Sequence, residues 1–311
     1  MLSEALTAVA QAGIITFVIA SMLGTGMGLT LKQIGTPLRN ARLVSAMLIA
    51  NFAAVPAIAY GLAKLLPMSQ SGETAMILLG AMAGAPFLPT MAQMSKGSVP
   101  FSVGLMVLLM VVTIAYAPLV VPLLLDGVEL SAWDIAKPLI FLMLIPLGVG
   151  LFVKARYPEP ADGWSTDLSK ISSLALVLGF VAAVLVSYED IFGAVGTWIF
   201  LGAVLLAVFS FATGWLFAVG SNRETQRVAG LSTAQRNLSA ALLAAATNFD
   251  SETIVLTMVA SLALGVVLIL LAGELGRLVA ARQAKTEQQE QAEGQTQAGQ
   301  RLAARHSGGA E

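Results

Sequence analysis

The chain has 311 residues, of which 57% are hydrophobic and 11% charged, against about 25% charged in a typical soluble domain. This composition excludes a water-soluble globular protein and reads as an all-α, polytopic membrane protein. The net charge of −1 argues against a nucleic-acid partner, and the absence of cysteine excludes disulfides and thiolate metal sites.

Apolar stretches long enough for a bilayer core of about 30 Å run from Ala12 to Leu31, Val44 to Leu66, Thr74 to Met94, Val99 to Leu125 and Pro138 to Val153. Four more follow, from Ile171 to Val186, Ala194 to Val219, Val228 to Ala246 and Ile254 to Leu271, which predicts nine transmembrane helices. The stretches at Pro138 and Ile171 are short, 16 residues each, and are expected to extend into their flanks or to tilt less than the others. Barrel strands would alternate polar and apolar residues over about ten positions, whereas these runs are continuously apolar. Helices satisfy every backbone group internally, as lipid demands.

Charge orients the bundle. Lys32, Arg39, Arg42, Lys96, Lys154, Arg156, Lys170, Arg223, Arg227, Arg277, Arg282 and Lys285 fall on one side, while Glu4, Glu73, Asp126, Glu129, Asp134, Glu189, Asp190, Asp250 and Glu252 fall on the other with only Lys64 and Lys137. The positive-inside rule then predicts a multi-pass protein of the cell's inner (plasma) membrane, N-terminus outside and C-terminus cytoplasmic. No basic segment precedes the first apolar run, which reads as a retained span rather than a cleaved signal. Residues 1–283 form the transmembrane domain. From Gln283 the composition turns to Gln, Glu, Ala and Gly, so residues 284–311 are expected to be a disordered or loosely helical cytoplasmic tail, in which His306 is no ligand.

Two of the nine stretches are interrupted. The third contains GAMAGAPFLPTMAQ, Gly80 to Gln93, where Pro86 and Pro89 each remove a backbone donor. The eighth contains Ser232, Thr233, Gln235, Arg236 and Asn237 between apolar flanks. Counted at about 1.5 Å per residue from the membrane edge, both interruptions fall near mid-membrane, and they run in opposite directions. Oppositely directed broken helices at the midplane are the sequence pointer to an inverted-repeat secondary transporter. Pro and Gly also kink membrane helices without any function, and Ser232 and Ser239 suit close packing, but packing does not account for Gln, Arg and Asn in succession.

An intramembrane arginine is costly and marks a substrate or ion path. No carboxylate of this sequence is expected at the depth of Arg236, which points to an anion from outside, a carboxylate or sulfonate held by paired hydrogen bonds and assisted by N–H groups where the helix restarts. Broken-helix carbonyls are the alternative acceptors. The expected substrate-binding residues are Arg236, Gln235, Asn237, Thr233, Ser232, Pro86, Pro89 and Thr90. Proton coupling through a mid-membrane carboxylate is disfavoured, whereas Asn51, Thr233, Gln235, Asn237 and unwound carbonyls offer oxygen ligands to sodium. No catalytic residue is expected: the chain has no His-Glu-X-X-His and no membrane-facing acidic pair, so an enzyme is not expected. A channel would show a polar stripe through several helices. A non-transporting sensor would need no uncompensated arginine.

The segments MGLTL (Met27 to Leu31), IANFAAVPAIAY (Ile49 to Tyr60), MSKGSVPFSVG (Met94 to Gly104) and AQRNLSAALLAAATNF (Ala234 to Phe249) resemble, in order, the bile acid:sodium symporter family. That resemblance implies inverted repeats arranged as a panel (spans 1, 5 and 6) and a core (spans 2, 3, 4, 7, 8 and 9), with the two broken helices crossing in the core. It also implies the nine-span form, which lacks the first helix of ten-span members, and substrates that are organic anions such as bile acids, steroid sulfates, pantoate and related carboxylates, moved with sodium by alternating access.

The departures from the family pattern are specific. Gly230 or Leu231 stands where sodium-coupled members carry a glutamate, and Phe87, Leu88 and Pro89 replace the serine and asparagine of the first broken helix. The next span is largely Val, Leu and Met where hydroxyls are usual. Asn51 stands where a glutamine ligand usually sits, Gln235 is retained, and Asn237 replaces the family asparagine, so Asn51, Gln235 and Asn237 are the remaining candidate sodium ligands. No other cofactor or metal is implied. Arg236, itself a departure, is a fixed positive charge where sodium would sit, which leaves a sodium-independent facilitator or exchanger open beside a symporter.

Overall fold

The structure, a computed structural model, describes residues 2–35, 39–125, 132–186 and 198–307. Asp126, Glu129, Glu189 and Asp190 of the acidic side, and the first residues of the stretch expected from Ala194, lie outside them. Six helices among the described residues are long and apolar enough to cross a membrane: Leu6–Met27, Ala41–Leu65, Val99–Leu124, Ala132–Arg156, Ile199–Phe217 and Ser251–Thr286. The protein is an all-α, polytopic membrane protein.

Helix α1 (Leu2–Met27) starts and stops earlier than the apolar run alone suggests. Gly24, Gly26 and Gly28 weaken its end, and MGLTL turns into the short α2 (Leu31–Gly35). Helix α3 (Ala41–Leu65) is capped by Asn40, whose Oδ1 accepts the Leu43 N–H at 3.1 Å. Its ladder widens into a π-turn at Ala50–Ala54 just before Pro56, whose missing N–H the wider turn accommodates.

The first broken helix follows as α4 (Gln70–Ala81) and α5 (Leu88–Met94), then α6 (Val99–Leu124). The two short expected stretches do extend into their flanks, as α7 (Ala132–Arg156) and α8 (Pro158–Val186). In α7 a second π-turn, Ile140–Leu144, precedes Pro146. Helix α9 (Ile199–Phe217) leads to the second broken helix, α10 (Arg223–Ala234) and α11 (Leu238–Asn248), and to α12 (Ser251–Ser307).

Helix α12 runs on past Gln283 through Ser307, the helical of the two alternatives that the composition of the tail leaves open. Ala, Gln, Glu, Lys and Arg are all good helix formers, and they continue a helix already nucleated in the apolar segment.

Helix α1 lies along α8 and against the second half of α7. Glycines allow the backbones to approach: a Cβ on Gly13 would come within 2.6 Å of the Gly179 Cα, and one on Gly26 would meet Leu147 and Gly150 backbone. Ser165 Oγ donates to Gly24 O at 2.7 Å and Ser172 Oγ to Phe17 O at 3.2 Å, fastening α8 to α1. Lys154, buried at the end of α7, pairs with Asp162 at 2.5 Å.

The remaining long helices surround the two broken ones. Helix α9 packs on α10, with Gly214 letting it approach Ala229 and Thr233, and α6 packs on both α4 and α5. Helix α12 packs on α4, α9 and α11.

Candidate functional site: the crossing of two broken helices

The break between α4 and α5 is a consequence of Pro86. A residue before proline avoids the α region, and the chain is already extended at Met82 (φ −95°, ψ 102°) and left-handed at Gly84 (φ 79°). A side chain at Gly84 would strike the Met110 backbone, so glycine is required here twice over, for its φ and for the close approach of α6. The second break is shorter: α10 ends at an extended Gln235 (φ −75°, ψ 116°), and Asn237 caps α11 by accepting the Ala240 N–H at 3.1 Å.

The two broken helices run antiparallel. At one end Ser71 Oγ donates to Glu252 at 3.1 Å and to Asp250 at 3.4 Å, joining the start of α4 to the residues after α11. Hydrogen bonding from Thr253 holds the Asp250 carboxyl below the usual carboxylate range. At the other end the Ser98 N–H donates to Glu224 O at 3.4 Å, and Arg227 donates to Lys96 O, joining the chain after α5 to the start of α10. Between these ties the breaks lie side by side, with the Asn237 N–H donating to Met82 O at 2.9 Å.

Arg236 sits at this crossing, 4% exposed. Its Nε donates to Leu79 O at 2.9 Å and its Nη2 to Gly80 O at 2.6 Å. Its Nη1 donates to Asn51 Oδ1 at 3.1 Å and to Thr233 O at 3.1 Å. A guanidinium carries five N–H donors, so all but one are engaged by the protein itself. No carboxylate among the described residues pairs with it.

The other expected site residues divide clearly. Asn51, placed by the π-turn of α3, donates to Met47 O at 3.0 Å and to Thr233 Oγ1 at 3.3 Å while its Oδ1 serves Arg236. Thr233 Oγ1 and Ser232 Oγ both donate to Ala229 O at 2.9 Å, turning back onto their own helix. Asn237 donates to Gly84 O at 3.0 Å and Ala83 O at 3.4 Å, so its amide is occupied by the first break and its Oδ1 by the cap. The Oδ1 atoms of Asn51 and Asn237 are thus both engaged within the protein, the one by Arg236 and the other by the cap of α11. Gln235 Oε1 is buried without a partner. Pro86 and Pro89 are half-buried, and Phe87 and Thr90 are exposed beside the break.

Three participants escape a reading of side chains. Leu79 and Gly80 act through their carbonyls, which carry no sequence signal. Thr113 Oγ1 lies 3.0 Å from both Ala83 N and Ala83 O, accepting from the one and donating to the other. A single threonine inside the apolar run LLMVVTIAY is the signal for it.

Comparison with known proteins fits this architecture. Residues 15–194 match the Sodium Bile acid symporter family, a stretch that includes the first break and ends before the second. The chain is also 24% identical over 236 residues to a protein of Oryza sativa subsp. japonica named probable sodium/metabolite cotransporter BASS2, chloroplastic. The alignment covers 75% of this chain and 56% of that protein, so the chain spans about half the length of the curated relative it matches. With more than half of its residues matched in order, the chain belongs to the Sodium Bile acid symporter family.

Proposed function

We propose that this protein is a secondary transporter that moves small organic anions, carboxylates or sulfonates, across a membrane by alternating access. The observation that carries the proposal is the antiparallel crossing of two broken helices around one buried charge, the arrangement in which transporters place substrate and ion sites near the bilayer midplane. Family membership and the relative's printed role in metabolite cotransport support transport over catalysis.

In this reading the chain crosses the membrane nine times, the six long apolar helices being joined by α8 and the two broken helices. Helices α1, α7 and α8 form the panel, against which the other helices move. The asymmetry of basic residues supports a plasma-membrane protein with its N-terminus outside. Substrate meets the accessible part of the crossing, Pro86, Phe87, Pro89 and Thr90, and on entering it reaches the buried, unpartnered Gln235 Oε1. Arg236, with all but one of its donors already occupied by the protein, holds the two breaks together beside this surface.

The test is exchange in proteoliposomes. Protein reconstituted with a panel of labelled small carboxylates and sulfonates is expected to show saturable counterflow of at least one of them, and Gln235→Leu is expected to raise the half-saturating concentration about tenfold, as for a lost buried hydrogen bond. Folded protein that exchanges none of these anions, but does exchange a neutral or cationic solute, overturns the assignment.

A further inference from the structure

The four oxygen atoms around the Arg236 guanidinium are all neutral amide oxygens: Leu79 O, Gly80 O, Thr233 O and Asn51 Oδ1, at 2.6 to 3.1 Å. Three of them belong to the last turns of two half-helices, α4 ending at Ala81 and α10 ending at Ala234. A helix C-terminus carries roughly half a negative charge, so two such ends converging on one buried point create a place for a cation and disfavour an anion. Unwound carbonyls and half-helix C-terminal ends are the groups with which transporters hold a monovalent cation.

The arginine does not reach away from this place. It is 4% exposed and lies within the crossing, although a long side chain can snorkel to water when only its own solvation is at stake. The helix ends that would otherwise need a counter-charge receive it from a residue of the break itself. A retained carboxylate, which would add a negative charge and call for a mobile cation, is missing from the cage among the described residues.

We propose that the Arg236 guanidinium is a tethered cation filling a monovalent-cation site built from these four oxygens, so that the protein works without sodium and becomes cation-dependent when the guanidinium is removed. A sodium ion that enters and leaves with substrate couples transport to the sodium gradient, whereas a cation bonded to the chain does neither. Resting on the transporter reading above, this makes the protein a facilitator or exchanger.

Thermal melting of the purified full chain with no organic anion present tests the site independently of what is carried. Wild type is expected to melt at the same temperature in sodium, potassium and choline chloride at equal ionic strength. Arg236→Ala is expected to melt lower in choline and to recover by roughly 3 °C or more in about 150 mM sodium chloride, or in millimolar methylguanidinium, the missing side-chain head group. A sodium-specific rise in wild type, or a folded Arg236→Ala that neither cation shifts, overturns the proposal. Where Arg236→Ala does not fold, Arg236→Gln is read in the same way, with the same recovery in sodium expected and its absence overturning the proposal, and failure of the anion-exchange test would leave this result untouched.

Discussion

The two breaks lie beside each other and are built in opposite ways. Met82 to Phe87 contains no polar side chain, and its exposed backbone is satisfied from outside: by Thr113 of α6 at Ala83, by Asn237 at Met82, Ala83 and Gly84, and by Arg236 just upstream at Leu79 and Gly80. Gln235 to Asn237 is polar throughout and serves both breaks. Buried backbone groups without partners are costly, above all in lipid, so one break is the acceptor and the other the donor of a single structure. The proline-broken helix is stable only where the second broken helix crosses it.

The strongest way to break that comparison is Arg236→Met, which keeps a long side chain but leaves the Gly80 carbonyl and Asn51 Oδ1 without their donor and Leu79 O with only the long bond from the Met82 N–H. A loss of roughly 3 kcal/mol or more is expected in reversible unfolding of the purified protein. A loss below about 1 kcal/mol would mean that the second break does not hold the first. Asn237→Leu removes the cap of α11 together with the bonds to Gly84 and Ala83, and should cost about 2 to 3 kcal/mol by the same measurement.

Thr113→Val, nearly isosteric, deletes the one partner that comes from neither broken helix. An expected loss of about 1 to 2 kcal/mol would rank α6 below α10 and α11 in holding the gap; a larger loss than that of Asn237→Leu would reverse the ranking. Pro86→Ala probes the acceptor break directly. Because Pro86 donates nothing, only about 0.4 to 1 kcal/mol should be lost, through the unfolded chain.

The smallest effect lies at the far ends of the same helices. Asp250 has a folded pKa below its unfolded value of about 3.9, so its contribution is present above that value and is lost as the pH falls through the lowered one. Wild type should therefore show a shallow acid-side fall in melting temperature that Asp250→Asn lacks. Equal slopes would remove the Ser71–Asp250 tie from the account of how the broken helices are anchored.

Both breaks are legible in the amino-acid sequence. Pro86 and Pro89 mark the first, and the run from Ser232 to Asn237 marks the second, because loss of a donor and loss of apolarity are local properties of the chain. Asn51 is legible as an oxygen ligand. The partner it serves is not, because the side chain it faces comes from 185 positions away. Thr113 reads as the one threonine of an apolar helix, and nothing near it in the chain names its partner, although such a residue in lipid needs an acceptor and usually finds one.

By itself the sequence determined the class, the long apolar helices and the two places where they break, since each follows from hydropathy and backbone chemistry within a few consecutive residues. Only the tertiary structure decided what Arg236 binds. Its acceptors are chiefly main-chain carbonyls, which every residue carries alike. Two helix ends had to be brought to one point before they could form a cage for a positive charge.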